Sequence, residues 1–262
     1  MRIVLKVGGS VLQHDGRAVW AEDLRNLVED RHQVLVVHGA GPLINERLAQ
    51  LQVPVVFQEG QRVTTPAVLK EVVQVMRGTA NLLMVAQCQK VGVPAVGLSG
   101  ADGGWFDACR DDSGLGLVGR VNSVRPGLIE RIWAGGMIPM VAPLAMEQDT
   151  DTLLNLNGDW AASGIAQKIH ADALVFYTDS GGVRWNGKDP TTIIPDLDVS
   201  GCEALIDRGI ITHGMIPKVR AGIAALEGGV QNVWIGRWND AKGSTCLRQE
   251  TGTERKERWA LG

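Results

Sequence analysis

Lys6 sits near the end of the apolar run Arg2–Val7 and is followed, one valine later, by Gly8 and Gly9. A lysine at a strand end beside bare backbone puts positive charge where a polyanion can lie close to the chain. Phosphoryl transfer asks for little more, since it rests on positioning and charge rather than on covalent chemistry from the protein. Read alone, the same lysine is an edge residue whose stem snorkels over apolar neighbours. Further along, "LLNLNGDWAASGIAQKI" alternates Asn155 and Asn157 with Leu154 and Leu156, so in an extended segment both amides face one way, and Asp159 follows where a helix starts. Capping that helix is one role for Asp159, and forming a substrate-binding wall with the two amides is another. Lys218 comes early in "GIITHGMIPKVRAGIAAL", an apolar helical pattern in which a surface lysine is the plain alternative. Taken together, Lys6 and Lys218 would flank one transferring phosphoryl group, with the Asp159 carboxylate holding both ammonium groups in place.

The elements that must position these residues alternate along the chain. β-rich runs occupy residues 2–7, 33–37, 94–98, 138–142, 173–178 and 231–235, and segments with helical spacing lie between them at 18–28, 42–51, 66–76, 81–91 and 126–134. Strand, helix, strand in repetition predicts crossover connections and a mainly parallel sheet covered on both faces, an α/β sandwich. The stretch "DACRDDSGLGLVGRV" is polar and glycine-rich, and reads as a hairpin or loop excursion rather than a core element. The charged end, "TGTERKERWALG", is expected to fray, with Trp259 and Leu261 as docking candidates. Ligands of parallel sheets gather at the carboxyl ends of the strands, where four glycine-rich turns follow: "KVGGS", "VVHGAGP", "GLSGADGG" and "YTDSGGV". Such turns expose backbone N–H groups that favour anions, phosphate above all, and Pro42 marks a helix whose positive end the second turn feeds.

Composition narrows the classes. The chain has 262 residues, a net charge of −3 and a pI near 6.0, so there is no basic field for nucleic acid. The first apolar run is short and interrupted by Lys6, which argues against a leader or a spanning helix and makes the cytoplasm the expected location. Cys88, Cys109, Cys202 and Cys246 are far apart with no CxxC spacing, which argues for reduced thiols and against a metal site. GxxxxGK[ST] is absent, as is a GxGxxG that opens a helix after a strand. A kinase of another design remains.

The motifs "LKVGGS", "VVHGAGP", "GQRVTTP", "AVGLSGADGG", "NLNGDWAA", "TDSGGV" and "GIITHGMIPKV" stand in the order and spacing of the amino-acid kinase family, and the chain resembles most closely its N-acetyl-L-glutamate kinases from about residue 2 to residue 235. The resemblance implies an open three-layer αβα sandwich with a mainly parallel central sheet, the carbamate kinase-like fold. It implies an N-terminal lobe, residues 1–165, for the acylated amino acid and for dimerisation, and a C-terminal lobe, 166–262, for ATP. It implies ATP-dependent phosphorylation of the γ-carboxylate of N-acetyl-L-glutamate in arginine biosynthesis, with Mg²⁺ brought in by ATP. Lys6 and Lys218 fall on the lysines that stabilise the transition state, and Asp159 on the aspartate that organises them. Arg62 and Asn155 fall on the residues that hold the substrate, Ala40 and Gly41 on the backbone turn under its carboxylate. For ATP the resemblance points to Gly8 and Gly9, to Asp179, Ser180, Gly181, Gly182 and Val183, and to Ile210, Ile211 and Thr212.

Departures from the family pattern are few. "HGGG" is "HGAG" here, and a left-handed backbone at Ala40 would be strained. "DGM" is "HGM" at His213, Pro217 directly precedes Lys218, and "NK" is "NL" at Asn81 and Leu82. Two other readings stay open: a kinase of carrier-protein-linked aminoadipate or glutamate, for which Arg62, Lys70 and Arg77 are the basic candidates near the substrate mouth, and a non-catalytic acylamino-acid sensor. Arginine-inhibited members of the resembled kinases carry an additional N-terminal helix that links dimers into a ring. The first strand here starts at Arg2, so the expectation is a homodimer indifferent to arginine. Its expected interface is the apolar helix from Thr65 to Met76, unless both faces of that helix pack internally.

Overall fold

The computed structural model describes every residue except 13–17, 59, 179, 180, 188, 190, 213, 241 and 250–262. The first half of the chain runs through β1 (Arg2–Val7), α1 (Val19–Glu29), β2 (Gln33–His38), α2 (Gly41–Gln50), β3 (Phe57–Gln58), β4 (Gln61–Arg62), α3 (Pro66–Val73), α4 (Asn81–Lys90), β5 (Ala95–Ser99), β6 (Phe106–Arg110) and β7 (Val118–Val124). The second half runs through α5 (Gly127–Ala134), β8 (Ile138–Ala142), β9 (Leu144–Glu147), β10 (Leu153–Leu156), α6 (Gly158–Lys168), β11 (Ala173–Tyr177), β12 (Asp196–Asp198), α7 (Val199–Asp207), α8 (Met215–Glu227), β13 (Asn232–Ile235) and β14 (Thr245–Arg248). Eight strands form one sheet in the order β12-β14-β13-β11-β1-β2-β8-β5. All neighbours are parallel except β13 and β14. The mainly parallel sandwich expected from the alternation is therefore the architecture.

Strand alternation decides which side chain goes to which face. In β1, Ile3, Leu5 and Val7 join the core that contains Trp20 and Leu24 of α1, whereas Val4 joins the core on the opposite face with Ala162 and Ile165 of α6. Lys6 has the parity of Val4, so it leaves the strand on the α6 side, at the strand's carboxyl end. Helix starts are set locally. Thr65 caps α3 by accepting from the Val68 N–H at 3.3 Å, with Pro66 at the first helical position. Asn157 caps α6, accepting from the N–H groups of Asp159 and Trp160.

Two expectations need correction. The polar stretch around Asp107–Val121 does form a hairpin, β6 with β7, but it is a core element: Phe106, Ala108 and Val118 are buried, and the hairpin closes a four-stranded barrel with β9 and β10. Polar residues outline its tip and outer face and hide the apolar ones turned inward. The segments 66–76 and 81–91 are not separate helices, because a π-helical segment, Gln74–Ala80, joins α3 to α4 without a break. Gly78 has open space around it, so the wider turn is tolerated there. On the apolar helix Thr65–Met76, Val68, Val72 and Met76 are buried, while Leu69 and Val73 are half-buried. Further along the same continuous helix, Leu82 and Leu83 are exposed, at 66% and 46%. Trp259 and Leu261 lie outside the described residues. Among the described residues, no helix is long and apolar enough to cross a membrane.

Candidate active site

Three elements that are far apart in sequence bring their ends together at the carboxyl edge of the sheet. The end of β1 carries Lys6, the first turn of α6 carries Asp159, and the first turns of α8 carry Lys218. Both ammonium groups contact the same carboxylate oxygen: Lys6 Nζ lies 2.9 Å and Lys218 Nζ 3.0 Å from Asp159 Oδ1. Asn157 caps α6, so Asp159 is free of that task and its side chain serves the lysines. Burial alone would raise the Asp159 pKa, but the two ammonium groups outweigh it and hold the carboxyl below its ordinary range. Burial lowers the Lys218 pKa, and the Lys6 ammonium lowers it further while Asp159 opposes both. The Lys218 ammonium also lies 5.5 Å from the centre of the Phe176 ring. Two cations on one anion leave a net positive charge in a nearly dry site, where it acts most strongly on an incoming polyanion.

The backbone around this triad is tightly packed. At Gly9 a Cβ would sit 2.7 Å from Ala40 Cα, so the turn after β1 lies directly on the turn after β2. Gly158 is nearly as constrained, with the Lys6 stem 3.3 Å from its missing Cβ. Gly8 has only Ser10 Oγ nearby, at 3.6 Å, and Gly41 has nothing within 4 Å, so both leave room for a ligand. Ala40 has φ −148° and is buried among Ile44, Leu48, Met76 and Ala142. The expected strain is therefore absent, because the left-handed conformation is not adopted. No side chain caps α2, whose start at Gly41 leaves backbone N–H groups for an anion.

On one side of the triad a pocket is lined by Ala40, Gly41, Phe57, Arg62, Asn155 and Gly158, with Met76 of the π-helical segment also in its wall. Arg62 is buried, donates from Nη2 to Asn45 Oδ1 at 2.5 Å and lies 4.8 Å from the centre of the Phe57 ring. Its Nη1 is buried without a hydrogen-bond partner among the described residues. Such an orphan costs about 1–3 kcal/mol, which an incoming carboxylate would recover. Asn155 donates to Thr64 Oγ1 at 3.1 Å. Asn45, Phe57 and Thr64 went unnoticed in the sequence. Thr64 lies inside "RVT", the one signal that pointed to it, whereas the approach of Asn45 and Phe57 to Arg62 depends on the fold.

A second pocket gathers Gly182, Val183, Arg184, Ile210, Ile211, Thr212 and Met215. Gly182, Val183, Ile210, Ile211 and Thr212 are thus brought together as expected, although Gly181 is not among the lining residues; Asp179, Ser180 and His213 lie outside the described residues. Among the described residues of this loop, the N–H groups of Gly182 and Val183 are already taken up and are not available to a phosphate. Gly182 N–H donates to Gly243 O at 3.0 Å and Val183 N–H to Thr245 Oγ1 at 2.8 Å. A Cβ at Gly182 would sit 2.6 Å from Thr245 N, so the glycine here serves packing. The "GLSGADGG" turn is also structural. It follows the edge strand β5, and a Cβ at Gly100 would sit 2.7 Å from the Phe106 ring of the barrel. Two of the four glycine turns therefore line the triad, one borders the second pocket and one joins sheet to barrel.

The amino acid kinase family pattern matches residues 1–237. The acetylglutamate kinase of Geobacillus kaustophilus is 38% identical over 261 residues, covering 95% of this chain and 97% of that protein. That of Bacillus velezensis is 39% identical over 234 residues, covering 89% and 88%. Among solved structures, smu.665 of Streptococcus mutans superposes with a TM-score of 0.84 at 28% identity, covering 94% of this chain and 98% of that one. A carbamate kinase of Giardia, at 16% identity and a TM-score of 0.71 over 95% and 99%, shares the fold.

Proposed function

This chain belongs to the amino acid kinase family, and from that premise we propose that it transfers the terminal phosphoryl group of ATP to the γ-carboxylate of N-acetyl-L-glutamate, in arginine biosynthesis. The observation that carries the reading is the shared contact of Lys6 and Lys218 with Asp159 Oδ1. Gly158, next to Asp159, lines the first pocket, and Met215, three residues before Lys218, lines the second. The charged centre thus adjoins both. In this reading residues 1–165 hold the acylamino acid and 166–262 hold ATP. The substrate α-carboxylate pairs with Arg62, Asn155 supports the acylamino group, and the turn at Ala40 and Gly41 receives a carboxylate on backbone N–H groups. The nucleotide lies between Gly182–Val183 and Ile210–Thr212, with Asp179 and Ser180 of the same loop as expected partners, and its phosphates run past Gly8 towards the lysines. Mg²⁺ enters with ATP, held by phosphate oxygens and water, and neutralises part of their charge.

The γ-carboxylate is already ionised at neutral pH, so no general base is required. A carboxylate oxygen attacks the terminal phosphorus in line, the bond to the β-phosphate oxygen breaks, and ADP leaves with that electron pair. Lys6 and Lys218 stabilise the charge on the moving group, and Asp159 keeps both ammonium groups in position. A carrier-protein-linked substrate is less well served. Arg62 is buried in the pocket, and Arg77 is occupied with Asn81, the Gly97 carbonyl and Asp102, which leaves Lys70 as the exposed member of the three. We further propose a two-fold homodimer joined through the N-terminal half, where Leu82 and Leu83 are exposed. An ADP-release assay with N-acetyl-L-glutamate, glutamate, aspartate and carrier-linked substrates tests the assignment: turnover is expected with N-acetyl-L-glutamate, and turnover with another of these alone would replace it.

A further inference from the structure

The tip of the β6–β7 hairpin bonds to both segments that line the first pocket with Arg62 and Asn155, and so joins two of its walls. Thr64 N–H donates to Leu115 O at 2.8 Å, Leu117 N–H donates back to Thr64 O at 2.8 Å, and Thr64 pairs with Gly116 as an isolated parallel bridge. One residue further on, Asn155 N–H donates to Leu117 O at 3.0 Å. Thr64 Oγ1 completes the link, donating to Arg62 O at 3.0 Å and accepting from Asn155 Nδ2 at 3.1 Å. The base of the tip is fixed by buried Asp111, which accepts from Ser113 N–H at 2.9 Å and Arg120 Nε at 2.7 Å, while Asp111 N–H donates to Val118 O at 2.9 Å. Gly116 has φ +78°, and a Cβ there would sit 2.6 Å from Thr64 O, a backbone atom of the segment that follows Arg62.

We infer that the hairpin tip is a positioning device for the substrate and that Gly116 is its contact point, a positioning residue that sets the spacing between Arg62 and Asn155. The inference rests on the assignment of this pocket to the acylamino acid. A side chain at residue 116 pushes Thr64 away, and Arg62, two residues earlier, moves with it. Among the described residues, none that lines the second pocket takes part in these hydrogen bonds. Gly114 supplies the control: it lies in the same loop with φ +80°, so alanine there carries the same backbone strain, yet nothing lies within 4 Å of its missing Cβ.

The test measures calorimetric binding of N-acetyl-L-glutamate and steady-state kinetics on the whole chain and its variants. Gly116→Ala is expected to raise Kd and KM for N-acetyl-L-glutamate about tenfold or more with KM for ATP within about twofold, and Gly114→Ala to behave as wild type. Thr64→Val keeps the backbone bridge and loses the hydroxyl link, so it is expected to show the same split to a smaller degree, and it carries the test if Gly116→Ala does not fold. Unchanged binding in Gly116→Ala, equal losses in Gly114→Ala and Gly116→Ala, or an unchanged KM in Thr64→Val would each overturn the role of the hairpin. If the wild-type chain itself does not bind N-acetyl-L-glutamate, the pocket assignment fails, and the inference fails with it.

Discussion

Two lysines on one carboxylate oxygen make a specific statement about what each residue is for. In the proposed mechanism Asp159 is not the acid or base of the reaction, because the carboxylate it presents is committed to Lys6 Nζ and Lys218 Nζ. In that mechanism the lysines are preorganised donors for charge that develops during transfer, so replacing either by alanine should lower kcat by about 10²-fold or more with substrate KM much less affected. Steady-state kinetics on Lys6→Ala and Lys218→Ala checks this, and near-normal turnover in both would remove the mechanism. Arg62 has a different task. In the proposed assignment its Nη1, buried without a partner among the described residues, pairs with the substrate carboxylate, so Arg62→Lys, which keeps the charge and loses the planar fork, should raise KM for the acylamino acid and leave KM for ATP nearly constant. A constant KM for both substrates would place Arg62 outside the site.

Between residues and whole molecule, the helix α3–π–α4 connects the pocket to the sheet. Asn81, where α4 begins, is buried and reaches His38 at the end of β2, with Nδ2 2.8 Å from His38 Nε2 and 2.8 Å from Met140 O. His38 Nδ1 lies 3.2 Å from Gly39 O, so the imidazole is neutral, with its proton on Nδ1 and Nε2 accepting. Burial, assisted by the Arg77 charge and opposed by the Gly39 hydrogen bond, pushes the His38 pKa down to about 4. An unfolded histidine takes its proton near 6.5, so between about 6.5 and 4 the unfolded chain binds more protons than the folded one. Stability should therefore fall as pH drops through that window, by up to about 3 kcal/mol. Urea titrations at a series of pH values check it, and a His38→Gln variant with an unaltered slope would refute the assignment. Asp159, whose pKa is depressed, acts lower. Its contribution is complete above the ordinary carboxylate range and is lost as pH falls through its folded value.

For the whole molecule, a single eight-stranded sheet ties the two proposed lobes to one frame, with β11 paired to β1. Assembly is the property left to the outer surface. Leu82 and Leu83 stand exposed on α4, and in a homodimer through this half they would be the apolar centre of the contact. Replacing both by glutamate should give a monomer by light scattering at micromolar concentration. A dimer that survives the double substitution would move the interface elsewhere.

What the sequence alone determined was the period-two and helical patterning, the parallel sandwich and, through its ordered motifs, Lys6, Asp159, Lys218, Arg62 and Asn155 as the residues to watch. Those features are local: alternation chooses the face from which Lys6 emerges, and a capping asparagine two residues ahead frees Asp159. The tertiary structure alone decided which glycines approach a ligand and which merely pack, since Gly9, Gly100 and Gly182 read like Gly8 until their neighbours are known. It also decided that a polar hairpin is half of a barrel and that Gly116 lies against Thr64. Contacts between segments distant along the chain depend on how layers stack, and a glycine carries no side chain from which that stacking can be read.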